Sequence, residues 1–318
     1  MSDPLCPVCG GSARRVLFPM PDGFRVEECV DCSLAATAPP VPASEIGRFY
    51  PARYYGAANR RFHPLIERLI PRFRRRRARE IERRTALTRG RMLDVGCGRG
   101  LLPAQMRARG WQAEGVEISE DAARHAREVL GLPVFVGPFD ACPHAPGSFD
   151  ALVLWHVLEH LPDPRAALAK AHTLLKPGGL LMVAVPNFES AQAAFAGPHW
   201  FHLDVPRHYF HFRLSVLERL LEEGGFAVEN VSHFNLEQNP YGWIQSLLNR
   251  LGIRFNLLYD VLKTPSARNG AHPVKEHPLQ MILMTAALVP IVPLSFALFL
   301  LEVAARRGGT VEVYARKR

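Results

Sequence analysis

Residues 91–100, RMLDVGCGRG, constrain this chain more than any other stretch. Met92, Leu93 and Val95 read as a short buried strand. Three glycines follow at Gly96, Gly98 and Gly100, and a helical pattern opens at Leu101. Strand, glycine-rich turn and helix, in that order, let a backbone approach a nucleotide-like ligand, because a Cβ would block the approach or forbid a positive φ. An acid, Asp94, sits in the strand end, and a second, Glu117, closes the next apolar run 23 residues later.

The pattern then alternates as a doubly wound α/β domain requires. It predicts helix over 101–109, strand over 112–117, helix over 120–129 with Ser119 as cap, and strands over 134–136 and 149–154. A helix begins at Asp163-Pro164, the former a good N-cap and the latter suited to the first helical position. Lys176-Pro-Gly-Gly179 turns the chain into a strand over 180–185. A helix over 214–223 stops at Gly224-Gly225, and a strand follows over 226–231.

The GxGxG spacing, together with FDALVLWHVLEHLPDP at 149–164 and LLKPGGLLMVAVPN at 174–187, resembles the class I S-adenosylmethionine (SAM) methyltransferases. The likeness is to the small-molecule and lipid branch, which includes ubiquinone-pathway O-methyltransferases and sugar methyltransferases. It covers roughly residues 85–235 and a last strand near 310–316. A dinucleotide dehydrogenase, whose acid lies at a similar distance, fits the spacing and the later motifs less well. No Asn/Asp-Pro-Pro-Tyr follows strand four, which sets aside the amino-group methyltransferases that use that motif.

The resemblance implies an α/β, Rossmann-like, seven-stranded domain that binds SAM. Asp94 would organise the methionine end above Gly96, Gly98 and Gly100, and Glu117 would grip the ribose hydroxyls. Ile118 and Trp155 count with the cofactor residues. Asp140 would lie near the adenine amino group, although Pro138 departs from the acid or amide usual two places earlier. Tyr55, in an aromatic cluster over 49–55, would act as a lid. The end of strand four faces the methyl group in this fold, so His156 is a candidate general base, of the residue type best suited to that role. Some ubiquinone-pathway relatives hold a divalent ion there with two Glu and one His; His156 stands at the first of those places and breaks the set. The HxxEH letters also match an inverted zincin motif, which the context outweighs. The bland alternative is that Glu159 and His160 bond to loop backbone. A second candidate base, His208, lies in a loop rich in His and aromatics over 188–212, where this fold builds its substrate cover.

Residues 1–40 carry two CxxC pairs, Cys6/Cys9 and Cys29/Cys32, separated by 19 residues. Four thiolates at this spacing suit a tetrahedral zinc ion in a small zinc-ribbon-like element. A piece this small depends on the metal for stability, and four ligands leave no open position for catalysis. Residues 41–90 form an approach segment, and arginines from Arg72 to Arg84 crowd one expected helix. That helix is either a solvated face or a contact for anionic headgroups or phosphate. Few aromatics are interleaved, so nucleic acid is not favoured.

Residues 236–308 interrupt the domain before its last strand at 309–318. Ile244, Leu247, Leu248, Leu251, Phe255, Leu258 and Leu262 share one helical face. Residues 281–301 then run 21 positions without a charge, long enough to span a bilayer, with Pro290 and Pro293 in the middle. If the last strand rejoins the sheet, both ends of this run lie on one side. A re-entrant hairpin or an interfacial anchor is then expected, with a buried roof or dimer contact as the alternative.

The 318 residues are 48% hydrophobic and carry 39 Lys and Arg against 30 Asp and Glu, a net +9 that favours a polyanionic neighbour. The first ten residues show no signal-peptide pattern, so a cytoplasmic protein, peripheral or monotopic on the inner membrane face, is expected. The favoured function is methyl transfer to a small-molecule, lipid or lipid-linked glycan acceptor. The alternatives are a zinc-ribbon RNA methyltransferase and a non-catalytic SAM-fold subunit. Acceptor and oligomeric state are not legible.

Overall fold

The computed structural model describes residues 5–42, 45–49, 62–263 and 273–318. In chain order the strands are β1 (Arg14–Pro19), β2 (Arg25–Cys29), β3 (Ala35–Ala38), β4 (Arg91–Val95), β5 (Gln112–Glu117), β6 (Val134–Val136), β7 (Phe149–Trp155), β8 (Leu175–Pro186), β9 (Phe210–His211), β10 (Phe226–Ser232) and β11 (Thr310–Lys317). The α-helices are α1 (Pro64–Glu67), α2 (Ile70–Thr85), α3 (Leu101–Arg107), α4 (Glu120–Arg124), α5 (Pro164–Leu174), α6 (Ala191–Ala196), α7 (Leu214–Glu223), α8 (Asn239–Arg250), α9 (Leu257–Leu262), α10 (Pro273–Glu276) and α11 (Pro278–Ala304).

Seven strands form one sheet in the order β10-β11-β8-β7-β4-β5-β6, and the pairs β6–β5, β5–β4, β4–β7 and β7–β8 are parallel. Strands β4, β7 and β8 are apolar almost throughout because helices cover both faces of such a sheet. The strand order reverses at β4, which opens a ligand crevice at the carboxyl ends of β4 and β7. Ser119 Oγ accepts from Ala122 N to start α4, and Asp163 Oδ1 accepts from Ala166 N to start α5, the caps their types favour. The helix expected over 120–129 is α only to Arg124 and continues as a π turn, His125–Val129. Strand β8 starts five residues early, taking in the expected Pro-Gly-Gly turn.

Two compact units divide the chain. The sheet unit comprises Ala58–Ala184, Glu218–Val231 and Val313–Arg318. Ile81 of α2, Met106 of α3, Trp111, and Met92, Val153 and Met182 of the strands make its core. The cysteine unit comprises Met1–Ala57, Val185–Leu217 and Ser232–Glu312. There β1, β2, β3 and β9 form a four-stranded antiparallel sheet. Strand β9 comes from the loop after β8, so that loop adds a strand to the sheet of the amino-terminal segment.

The tail differs from expectation in two places. The amphipathic segment is broken into α8 and α9, because Asn249 Oδ1 accepts from Asn256 N (2.9 Å) and folds the intervening turn back. The apolar run does not turn back at its prolines. It is one helix, α11, about 40 Å long by its rise. Pro290 and Pro293 are tolerated because both are exposed, so the carbonyls they leave unbonded are not buried. The membrane hairpin is therefore corrected to a single helix.

One face of α11 packs against the protein through Met284, Ile291, Ser295, Phe299 and Glu302. Glu302 fixes its end. Its carboxylate accepts from Trp243 Nε1 (2.8 Å), Gln192 Nε2 (3.1 Å) and Gly309 N (3.3 Å). Burial pushes its pKa up to about 7, against the pull of those three donors. Glu302→Ala would strand the donors in the interior. It should cost about 3–5 kcal/mol in denaturant titration. Glu302→Gln, which keeps a carbonyl acceptor, should cost less.

Candidate active site

Strand β4 ends with Asp94 buried beneath the glycine turn. Burial pushes its carboxyl up to about 7, and the positive charges of Arg77 and Arg74 pull it back. Gly98 adopts φ +53° with open space where a Cβ would stand, whereas a Cβ on Gly100, at φ +75°, would meet Leu132 and Ala126 within 2.7 Å. The first leaves open space in which a ligand could approach the backbone, and the second packs tightly on the turn and loop that follow α4. Gly96 N donates to Val116 O (2.8 Å), which holds the turn against β5. Arg99 pairs with Glu67 of α1 at 2.8 Å beside it.

Glu117, at the end of β5, is 5% exposed. Its two oxygens accept from Gly98 N (2.8 Å) and Ser119 N (2.9 Å). Burial raises its pKa, against backbone N–H groups of Ser119, Gly98 and Ile118 that favour the charge. Each oxygen keeps a lone pair for a diol. Ile118 is 68% exposed at the rim. Asp140 is exposed in a short turn, Phe139–Ala141, with no hydrogen bond tying it down among the described residues. Tyr55 lies outside the described residues.

Arg77 did not stand out from the arginine crowd in the sequence. It is buried on α2, its guanidinium 3.1 Å from the centre of the Trp155 ring. The spacing of Arg77 from Ile81, i to i+4 on the inward face, was the available signal. Stacked on an aromatic ring and close to Asp94, it puts a fixed cation beside a titratable acid.

At the end of β7, His156 takes a positive φ of 52°. Its N donates to Ala184 O (2.8 Å), and its Nδ1 lies 3.1 Å from Glu159 Oε1. Glu159 is 1% exposed. It does not bond to loop backbone among the described residues. His160 is half-buried in the same turn.

His208 belongs to the cysteine unit. Its backbone O accepts from Thr37 Oγ1 (2.6 Å), and Thr37 Oγ1 also lies 3.2 Å from His211 Nε2. Burial lowers the pKa of His211 to about 3, so that ring is neutral. Tyr209 OH donates to Val41 O (2.9 Å) and Arg213 Nη2 to Glu28 Oε1 (2.6 Å). The His-rich loop is thus laced to the segment that follows the cysteines.

The four Sγ atoms of Cys6, Cys9, Cys29 and Cys32 lie within 4.8 Å of one another, with 3.5 Å between Cys6 and Cys32 and 3.4 Å between Cys9 and Cys29. Zn–S bonds of about 2.3 Å in a tetrahedron put sulfurs about 3.8 Å apart, so the four could hold such an ion. Burial works against the Cys29 thiolate, but N–H groups of Cys32 and Asp31 win and lower its pKa to about 7.

A seven-stranded sheet of this order, with an acid and glycines at the switch point and a second acid closing the next strand, defines a class I nucleotide-cofactor fold. Residues 57–231 match the family model described as a methyltransferase domain. The chain is 30% identical over 189 residues to the ubiquinone biosynthesis O-methyltransferase of Chromobacterium violaceum, covering 55% of this chain and 80% of that one. Against the enzyme of the same name from Thiobacillus denitrificans it is 32% identical over 213 residues, covering 63% and 89%. A crystal structure assigned as a sarcosine dimethylglycine methyltransferase from Galdieria sulphuraria overlays with a TM-score of 0.52 at 15% identity, over 86% of this chain and 98% of that one, a likeness of fold alone. The chain belongs to the class I SAM-dependent methyltransferases, with those that act on small molecules.

The cysteine geometry carries a direct test. Protein purified without added metal should hold one zinc ion per chain, and Cys6→Ser should release it. Because β3 leads from Cys32 into the pairing with β9, amide exchange over 208–213 should rise on metal loss. Retained zinc would refute the site, and unchanged exchange would refute the coupling.

Proposed function

We propose that this enzyme moves a methyl group from SAM to a hydroxyl of an amphiphilic small molecule, such as a quinone precursor or a lipid-linked glycan, at the cytoplasmic face of a membrane. The outward face of α11 carries the membrane part of this reading. Among the described residues α11 alone has the length and composition of a span, with mean hydropathy 2.3 over a window only 22% buried. Ile282, Val289, Phe296 and Leu300 repeat at helical spacing and are 68%, 77%, 45% and 61% exposed. A helix packed by one face and apolar on the other suits the interfacial plane rather than a crossing. Exposed Lys275 before its start and Arg306 and Arg307 after its end suit anionic headgroups, as do exposed Arg72, Arg75, Arg76 and Arg79 of α2. RNA has no use for such a face, which weighs against RNA methylation. Intact Asp94 and Glu117 weigh against a non-catalytic subunit.

SAM supplies an electrophilic methyl on sulfur. In-line attack forms the oxygen–carbon bond as the carbon–sulfur bond breaks, and its electron pair neutralises the sulfonium. Asp94 receives the ammonium of the methionine end and Arg77 its carboxylate, each matched in charge. Glu117 would take the ribose diol, with Ile118 and Asp140 around the adenine and Trp155, stacked under Arg77, at the methionine end. His156 accepts the acceptor's proton, with His208 as the second candidate. Most of the rate gain comes from orientation. A phenolic hydroxyl, with a pKa near that of Tyr at about 10, yields its proton to imidazole more readily than an alcohol. The two bacterial relatives are O-methyltransferases of ubiquinone biosynthesis, which supports a hydroxyl acceptor. A structural zinc ion on Cys6, Cys9, Cys29 and Cys32 would stabilise the cysteine unit.

Two measurements bear on this reading. Asp94 holds its proton in the folded protein below about pH 7, and a protonated Asp94 offers the ammonium no charge. SAM affinity should therefore fall about tenfold per pH unit below that point and level off above it, and Asp94→Asn should flatten the dependence. A pH-independent calorimetric Kd in the wild type would remove Asp94 from the site. In flotation with anionic phosphatidylglycerol vesicles, the intact protein should rise with the lipid. A variant carrying Ile282→Glu, Val289→Glu and Phe296→Glu should stay behind while still binding SAM. If the two behave alike, the membrane placement is wrong.

A further inference from the structure

We propose that Glu159 is a positioning residue that fixes the tautomer of His156, leaving Nε2 as the proton acceptor. The inference rests on the methyl-transfer reading only for the use to which Nε2 is put. The geometry itself stands apart from it. An ionised Glu159 can only accept, so its 3.1 Å contact places the hydrogen on His156 Nδ1. A neutral imidazole carries one N–H, and its lone pair then lies on Nε2.

Three further observations support a built pair. Glu159 is 1% exposed, and burial of an acceptor is costly unless it is bonded. Among the described residues its only hydrogen bond runs to His156, and Oε2 has no partner. His156 itself takes φ 52°, a strained conformation for a non-glycine residue that gathers at functional sites. The bond from its N to Ala184 O on the neighbouring strand holds it there. The ring is thus aimed by strained backbone on one side and by a buried carboxylate on the other. When a proton reaches Nε2, the existing Nδ1–H bond to Glu159 becomes charge-assisted.

The test reads the tautomer directly in the full chain labelled with 15N-histidine. The His156→Asn variant assigns the His156 signals by their loss, and long-range proton–nitrogen spectra are taken at pH 8.5. The wild type should show a protonated Nδ1 and an unprotonated Nε2. Glu159→Leu should mix or reverse the two. Should Glu159→Leu lose SAM binding, Glu159→Gln serves instead, because its amide can donate to Nδ1 and should shift population toward Nε2–H. A wild-type Nε2–H tautomer, or signatures unmoved in both variants, would overturn the proposal. With a prenylated catechol as probe acceptor, Glu159→Gln should lower kcat at least tenfold with KM little changed, in buffer without added divalent ions. A divalent-ion requirement, or a loss confined to KM, would count against the pair as well. Absence of any methyl transfer by the wild type would reject the acceptor reading and leave the tautomer result to stand alone.

Discussion

The carboxylate of Glu117 is the interaction on which the rest of this site depends. One oxygen holds the N–H of Gly98 and the other the N–H of Ser119, so a single side chain ties the glycine turn after β4 to the start of the helix after β5. A glycine turn has little rigidity of its own. Cross-linked in this way it is preorganised before any ligand arrives, and the acid is already at the depth where a diol would meet it. The parallel pairing of β4 with both β5 and β7 sets that depth.

Much of this was legible in the sequence, because the signals are local. The glycine spacing, the caps Ser119 and Asp163, and the short apolar runs of parallel strands each depend on neighbours within a few residues. What could not be read depends on distant ones. Arg77 is an unremarkable member of an arginine run until Trp155 and Asp94 are folded beneath it. The pairing of β3 with β9 joins segments far apart in sequence, and β9 is too short to announce itself. The prolines of α11 misled for a different reason. A proline costs a helix one hydrogen bond, and on an exposed face the packing of the opposite side outweighs that loss.

The cysteine unit draws on three separate stretches of chain, so its cohesion rests on contacts between them. Apolar packing supplies part, through Val26 and Ala35 against Trp200 and Leu203. Polar lacing supplies the rest, through Thr37, Tyr209, Arg213 and Glu28. Around Glu302 the buried amides Gln192 and Asn239 add a further satisfied network. Such networks fix one arrangement at the cost of tolerating little change.

The position of β11 carries a consequence for how the molecule is made. It lies between β8 and β10 in the sheet, yet in sequence it follows every other strand and the long apolar α11. During synthesis from the amino terminus, β8 and β10 must therefore wait with a gap between them and their edges unpaired. Until β11 arrives, the sheet carries two open edges that a sheet assembled in sequential order would already have closed.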